Sequence, residues 1–196
     1  MTVVSRRDAV RRLLAERGNL VVVAGLGASA YDVAAVGNEP LDFPLWGAMG
    51  GAAMVGLGLA IAQPSRAVLV LTGDGEMLMG MGSLATIAVA RPANLRVVVL
   101  DNERFGETGN QPTHTASGTD LAAVARGCGI ADVRTVTTLD QVDRLRTDLH
   151  AAKGPLVAVV KIGAEREPKA LPPRDGPYLV HRIRVALLGA DHALED

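Results

Sequence analysis

Strand-like runs rich in Val and Leu recur along the chain, and stretches with helical spacing lie between them. The strand-like runs are 20–27, 67–71, 95–101, 133–137 and 155–162. Most of them are continuously apolar, which is typical of strands buried on both faces of a sheet. Helices are predicted at 6–17, 28–37, 48–62, 80–91, 121–129 and 139–154. The alternation predicts an α/β fold, a doubly wound and mostly parallel sheet with helices on both faces.

The length of the chain, 196 residues, suits a single domain with a sizeable core. We expect that domain to occupy residues 1–164, because the strand-like and helical runs end there. The segment 165–196 begins with prolines and charges. It is predicted to be an extended C-terminal tail that packs on a partner chain.

Composition excludes several classes of partner. The formal charge is −1 and aromatic residues make up 3% of the chain, so neither nucleic acid nor an anionic membrane is indicated as a ligand. Residues 43–62 carry no charge and are long enough to cross a bilayer. They are rich in Gly and Ala and lack basic flanks, which favours a buried helix over a membrane span. The charged N-terminus is unlike a signal peptide, so a cytoplasmic location is expected.

Glycines and polar residues follow three of the predicted strands. In doubly wound sheets such strand ends meet at one edge, where ligands bind. Gly25-Leu26-Gly27 followed by Ala30 satisfies a dinucleotide fingerprint, G-x-G-x-x-A. That fingerprint also needs an acidic residue at the end of the second strand, about 20 positions later. No strand end is apparent there, so a purely structural turn is the simpler interpretation of this segment.

Asp74 is placed differently, between two glycines at the end of a buried strand. A carboxylate cannot favour a bare phosphate, but it can bind one through a divalent cation. Magnesium takes carboxylate, carbonyl and phosphate oxygens. A second oxygen ligand is expected from the next strand end, at Asp101-Asn102, and 25 residues separate Gly75 from Asp101. That spacing suits one helix and one strand.

The pair of motifs resembles the thiamine-diphosphate-binding signature, GDG followed after roughly 25 residues by two asparagines. The similarity runs over 72–109 and includes the preceding Gly/Ala-rich segment 46–62, and it covers residues 20–162 in all. The loop 106–115, GETGNQPTHT, is similar to that of sulfopyruvate and phosphonopyruvate decarboxylases. The chain therefore resembles a separate thiamine-diphosphate-binding (PP-type) subunit of such an enzyme. It departs from the signature at Asp101, which replaces the first asparagine.

The resemblance implies a role for each matched position. Magnesium would be bound by the side chains of Asp74 and Asn102 and by the backbone carbonyl of Arg104. Gly47 and Met49 would meet the pyrimidine end of the cofactor, and Met49 would also support its bent shape. The diphosphate would be lined by Ser29, Gly73, Gly75 and Glu76, with the acidic side chain of Glu76 pointing away.

The implied activity is decarboxylation of a small anionic 2-keto acid, with release of CO2 and an aldehyde. The loop 103–117 would meet the substrate, and Glu107 and His114 are candidate proton donors. The glutamate that activates the cofactor would come from a pyrimidine-binding (PYR-type) subunit, giving a hetero-oligomer. An acetolactate-synthase-like carboligase subunit, a 2-oxoacid oxidoreductase subunit and a non-catalytic structural subunit are the alternatives at this stage.

Overall fold

The computed structural model describes residues 4–151, 154–165 and 167–193. The strands are β1 Val21–Ala24, β2 Asp42–Pro44, β3 Val68–Gly73, β4 Leu95–Asp101, β5 Arg104–Phe105, β6 Gln111–Pro112, β7 Asp132–Val136 and β8 Leu156–Lys161. The helices are α1 Arg6–Leu13, α2 Ala28–Val36, α3 Ala52–Ala62, α4 Asp74–Met79, α5 Ser83–Ala90, α6 Leu121–Gly127, α7 Leu139–Ala151 and α8 Gly176–Leu188. A short 3-10 turn spans His114–Ser117.

Six of the strands form one parallel sheet in the order β2-β1-β3-β4-β8-β7. Alternate residues of each strand face opposite sides, so Val22 packs in one hydrophobic core and Val23 in the other. Helices α1, α2 and α7 cover the first side, while α3, α5, α6 and α8 contribute to the second. The predicted doubly wound α/β fold is confirmed.

Local sequence signals explain most of the element boundaries. Strand β4 has the predicted bounds, and α1 begins at the predicted place because the Ser5 hydroxyl accepts a hydrogen bond from the Asp8 N–H at 3.3 Å. Several elements were not predicted, and two of them lie beside the predicted strands or turns. Strand β2 has three residues and ends at Pro44, and helix α4 begins directly at Asp74, where the sequence indicates only a turn.

The C-terminal segment was predicted to be extended throughout. Residues 176–188 instead form helix α8. The Asp175 side chain caps that helix by accepting from the Tyr178 N–H at 3.0 Å. Leu179 and Ile183 are buried against the chain's own domain, which gives the helix an intramolecular reason to form. Contact between this segment and a partner chain stays a prediction.

In the part of the chain that the structure describes, no helix is both long enough and apolar enough to cross a membrane. The uncharged segment 43–62 is divided between β2, a turn and the 11-residue helix α3. One face of α3, with Ala53, Leu57 and Ala60, packs in the core of the second sheet face. The helix is not buried on all sides, because Met54 and Ile61 are 43% and 63% exposed.

Candidate functional site

A cavity of about 280 Å³ lies at the carboxyl edge of the sheet. Its wall is built by the turns after β1 and β3, the end of β4, the loop after β4 and the segment after β8. Most of the predicted site residues line it: Ser29, Met49, Gly73, Asp74, Gly75, Glu76, Asn102, Arg104 and Glu107. Gly47 and His114 are exposed and are not among the lining residues. Most of the residues that the strand ends and the family resemblance indicated therefore lie around one cavity.

Asp74 is the first residue of α4 and is 2% exposed. Its Oδ2 accepts hydrogen bonds from the Thr113 hydroxyl at 2.5 Å and from the Thr115 hydroxyl at 3.2 Å. Burial raises the pKa of Asp74, the Thr113 hydrogen bond opposes that shift, and the negative charge of Asp101 adds to it. Within the described ranges, no Lys, Arg or His nitrogen lies within 4.0 Å of Asp74.

The surroundings of Asp74 fit a magnesium ion better than a transition metal. No group of three or more His, Cys, Asp or Glu side chains that could hold a metal occurs among the described residues. A cation at Asp74 would therefore take amide, carbonyl and ligand oxygens, which are the donors that magnesium prefers. Asn102 and the Arg104 backbone lie in the same cavity wall and provide such oxygens. Both hydroxyls contact Oδ2, which leaves Oδ1 for a metal.

Side chains at the end of β4 shape the turn that carries these ligands. The Asp101 Oδ1 accepts from the Glu103 N–H at 3.1 Å, and the Asn102 Oδ1 accepts from the Arg104 N–H at 3.1 Å. Such hydrogen bonds fold the chain back on itself within two residues, and Glu103 has a positive φ of 62°. An amide oxygen has two lone pairs, so Asn102 can still bind a metal.

The two positions beside Asp74 are occupied by glycine for different structural reasons. A Cβ atom at Gly73 would meet nothing within 4 Å, because this residue borders the cavity. A Cβ atom at Gly75 would lie 2.5 Å from a ring carbon of Phe105. Gly73 therefore leaves room for a ligand, whereas Gly75 lets the loop after β4 pack on α4.

Glu76 is buried and joins two parts of the cavity wall. Its Oε2 accepts from the Leu26 N–H at 3.0 Å and from the Thr72 hydroxyl at 2.9 Å. A Cβ atom at Gly25 would lie 1.9 Å from that oxygen, so the glycine makes room for the carboxylate. Burial raises the pKa of Glu76. The first glycine of the apparent dinucleotide fingerprint thus has a structural role.

The outer rim of the cavity is more exposed. The Glu107 carboxylate pairs with Lys169 at 2.9 Å and lies 3.4 Å from the Tyr31 hydroxyl. Lys169 also lies over the Tyr31 ring, 5.1 Å from its centroid. On the inner side Arg6 lines the cavity, and its Nε donates to the buried Asp32. Neither Arg6 nor Lys169 was predicted to belong to the site.

Thr113 and Thr115 were also missed by the sequence reasoning. They flank His114, and the alternation turns both threonines inward while the histidine faces outward. Because both hydroxyls contact Asp74, these threonines belong to the site more directly than His114 does. The alternation Thr113-His114-Thr115, which follows the loop predicted to bind magnesium, was the sequence signal that could have identified the two threonines.

Comparison with known proteins finds a family for most of the chain. Residues 24–160 match the model described as "Thiamine pyrophosphate enzyme, C-terminal TPP binding domain". Sulfopyruvate decarboxylase subunit beta of Methanocaldococcus jannaschii is 36% identical over 140 residues, which are 71% of this chain and 73% of that protein. Phosphonopyruvate decarboxylase of Streptomyces viridochromogenes is 42% identical over 160 residues, 81% of this chain but only 40% of that protein.

Solved structures show the same fold. The crystal structure of benzoylformate decarboxylase from Polynucleobacter necessarius matches with a TM-score of 0.65 and 25% identity. The match covers 83% of this chain and 34% of that one. The matched region thus covers most of the separate beta subunit from Methanocaldococcus jannaschii and less than half of the two longer chains.

Proposed function

Since the chain belongs to the family of C-terminal TPP-binding domains of thiamine pyrophosphate enzymes, we propose that it is the cofactor-binding subunit of a 2-keto acid decarboxylase. The substrate would be a small anionic 2-keto acid of the sulfopyruvate or phosphonopyruvate type, and the products CO2 and an aldehyde. The names of the most similar relatives support this choice. The observation that carries the metal and cofactor part is Asp74, a buried carboxylate without a cationic partner among the described residues.

In this proposal Asp74 and Asn102 bind Mg2+ through their side-chain oxygens, and Arg104 binds it through its backbone carbonyl. The ion would neutralise Asp74 and allow a diphosphate to lie against the turn after β3. Gly73 leaves space there, and Ser29, Gly75 and the Glu76 backbone lie in the same wall. The carboxylate of Glu76 is directed at the Leu26 N–H, so it holds the neighbouring turn in place.

Met49 would support the organic part of the cofactor. Its side chain lines the cavity although the residue is 37% exposed, so a ligand can pack against it. Gly47, which is exposed two residues earlier, would offer its carbonyl from outside the present cavity wall. An exposed pyrimidine-binding edge is what a second subunit would cover, and relatives of this length are named as beta subunits.

Bound thiamine diphosphate would supply the nucleophilic carbon and the electron sink that decarboxylation of a 2-keto acid needs. The residues of this chain would orient the substrate and exclude water. Of the two candidate proton donors, Glu107 is better placed to meet a bound substrate, because it lines the cavity and His114 does not. His114 stays a prediction that the cavity geometry does not favour. The activating glutamate is expected from the pyrimidine-binding subunit.

The binding test uses the single tryptophan as a reporter. Trp46 packs 6.3 Å from Tyr31, measured between ring centroids, and Tyr31 lines the cavity. Thiamine diphosphate should change the Trp46 fluorescence in the presence of Mg2+, and EDTA should abolish that change. Thiamine without phosphates is the matched control ligand and should bind far more weakly. Binding that is equally tight in EDTA would contradict the metal-dependent site.

The activity test compares the isolated chain with a complex reconstituted with a pyrimidine-binding subunit. Sulfopyruvate and phosphonopyruvate are supplied in turn, and CO2 and aldehyde are measured. Only the complex should turn over substrate. Robust turnover by the isolated chain would contradict the need for a partner, and an acetohydroxyacid product would favour a carboligase instead.

A further inference from the structure

A second buried carboxylate lies next to Asp74. Asp101, the last residue of β4, is 2% exposed. Its Oδ1 accepts from the Thr115 hydroxyl at 2.9 Å and its Oδ2 accepts from the Lys161 ammonium at 2.7 Å. The same Thr115 hydroxyl lies 3.2 Å from Oδ2 of Asp74. One hydroxyl group therefore stands between two carboxylates.

Lys161 is paired with Asp101 by the sheet itself. The two residues face each other in the register of the parallel strands β4 and β8. The ammonium of Lys161 also contacts Glu103 at 2.9 Å, on the loop that leads to Arg104. In the described part of the chain, Lys161 is the cation that lies within 4.0 Å of Asp101.

Counting protons shows why the lysine matters to Asp74. A threonine hydroxyl has one proton to donate, whereas an ammonium has three. Asp74 and Asp101 therefore compete for the single proton of Thr115. The lysine gives Asp101 a charged donor of its own, so Asp101 does not depend on the Thr115 proton alone. The Thr113 hydroxyl, 2.5 Å from Oδ2 of Asp74, does the same for Asp74 and lies 2.8 Å from the Thr115 hydroxyl.

Electrostatics adds a second effect. An unpaired carboxylate in a low-dielectric site costs several kcal/mol unless a cation or hydrogen bonds compensate it. Asp101 already adds to the negative field at Asp74. Without the lysine, that field would act undiminished on a diphosphate, which must approach the same strand ends.

We propose that Lys161 is a positioning residue of the magnesium–diphosphate site, which it serves by neutralising the charge of Asp101 beside Asp74. The inference rests on the proposed function. It explains how the chain accommodates aspartate where the cofactor-binding signature has asparagine. The lysine is needed because residue 101 is charged, and a neutral residue 101 should make the lysine dispensable.

The test is a double-mutant cycle with Lys161→Met, Asp101→Asn and the two together. Lys161→Met should lower the melting temperature and raise the thiamine diphosphate concentration for half-saturation about tenfold or more at fixed Mg2+. Adding Asp101→Asn should restore half-saturation to within about threefold of the wild type. The new amide oxygen can still accept from Thr115 and from the Glu103 N–H, and the side chain carries no charge that needs a cation.

Arg134→Met is the matched control. Arg134 lies on β7 of the same sheet and pairs with Asp132 and Asp148, but it does not line the cavity. Its removal should lower the melting temperature without changing half-saturation. The control thus separates loss of an ion pair from loss of the site.

Three outcomes overturn the inference. Lys161→Met could lower the melting temperature as Arg134→Met does and leave half-saturation unchanged, which would make the lysine merely structural. The double variant could bind no better than Lys161→Met. If instead the wild-type chain shows no magnesium-dependent binding either alone or together with a pyrimidine-binding subunit, the proposed function fails, and the inference falls with it. Comparison of the wild-type titration with the variant titrations tells these failures apart.

Discussion

Two buried aspartates lie in very different surroundings, one between helices α1 and α2 and the other at the end of β3. The side chain of Asp32 is 0% exposed and contacts two guanidinium groups, those of Arg6 and Arg7. Asp74 is 2% exposed, and its carboxylate accepts hydrogen bonds from the hydroxyls of Thr113 and Thr115. Both are buried carboxylates, but only Asp32 has cationic partners in the described chain.

The difference separates Asp32, whose charge is compensated within the chain, from Asp74, whose charge a bound cation would compensate. A buried charge is tolerated when it is paired and hydrogen-bonded. Asp32 meets that condition within the chain, so its role is complete without a ligand. Asp74 has no counter-ion among the residues that the structure describes, and the negative charge of Asp101 adds to the effect of burial in raising its pKa. A bound cation would remove the deficit, and it would do so at the cavity.

The largest expected effect concerns Asp32, the aspartate that is paired within the chain. Asp32→Ala should lower the free energy of unfolding by about 3–5 kcal/mol, because two partly buried guanidinium groups would lose their shared carboxylate. The side chains of Arg6 and Arg7 are only 11% and 14% exposed. Arg7 would keep the Pro168 carbonyl and a 3.8 Å contact to Glu167. Urea denaturation of both proteins measures the difference.

Asp143→Ala is the control for that experiment. Asp143 pairs with Arg12 on the outer side of α1, and their side chains are 42% and 40% exposed. Exposed pairs of this kind contribute about 0–1 kcal/mol. If Asp32→Ala lowered the free energy of unfolding as little as Asp143→Ala does, water or other partners would compensate the two arginines. Asp32 would then be no more important to stability than an exposed aspartate, and it could not be contrasted with Asp74.

The second prediction concerns the other aspartate. Asp74→Asn should weaken magnesium-dependent binding of thiamine diphosphate by at least about 100-fold, since loss of a ligand should exceed the 10–100-fold effects of residues around metal ligands. The free energy of unfolding in EDTA should not fall, because the variant removes an uncompensated buried charge. Fluorescence titration and urea denaturation measure the two quantities.

A result in which Asp74→Asn loses several kcal/mol of stability and keeps its binding would reverse the comparison. Asp74 would then be the structural carboxylate. The Asn side chain keeps an oxygen that can accept from Thr113 and Thr115, so hydrogen-bond loss alone should not produce that result.

The sequence predicted the sheet well because its strands are continuous apolar runs. Strand β4 was located with its bounds, and the strand-end rule then placed Asp74 and Asn102 in one wall of the cavity. Helix α4 was missed because Gly73-Asp74-Gly75 has the composition of a turn. Its first residues are held in a helix by packing and by the buried Glu76, which local propensity does not register.

The pairing of Lys161 with Asp101 could not be predicted from the sequence, for a physical reason. Lys161 and Asp101 are 60 residues apart in the chain and meet only because β8 pairs with β4 in one particular register. Helix α8 is a different case, since Asp175 followed by Pro177 is a recognisable helix start. The prolines before it made the whole segment look extended.

The last and smallest prediction uses Asp42 as the intermediate case between the two aspartates. Arg17 lies 2.6 Å from its carboxylate, yet burial outweighs the arginine and raises the pKa of Asp42 above its usual value of 3.8. A raised pKa means that the folded protein binds this proton more tightly than the unfolded chain does. The contribution of Asp42 to stability is therefore fully present at acidic pH and is lost as the pH rises through the raised pKa.

Asp42→Asn should remove this dependence while leaving other titrating groups in place. The stability of the wild type relative to the variant should be greatest at the acidic end and decline as the pH rises. Melting temperatures of both proteins measured in parallel from acidic to neutral pH give that difference. A difference that grows with rising pH would show that Arg17 outweighs burial, so that Asp42 would belong with Asp32 and not between Asp32 and Asp74.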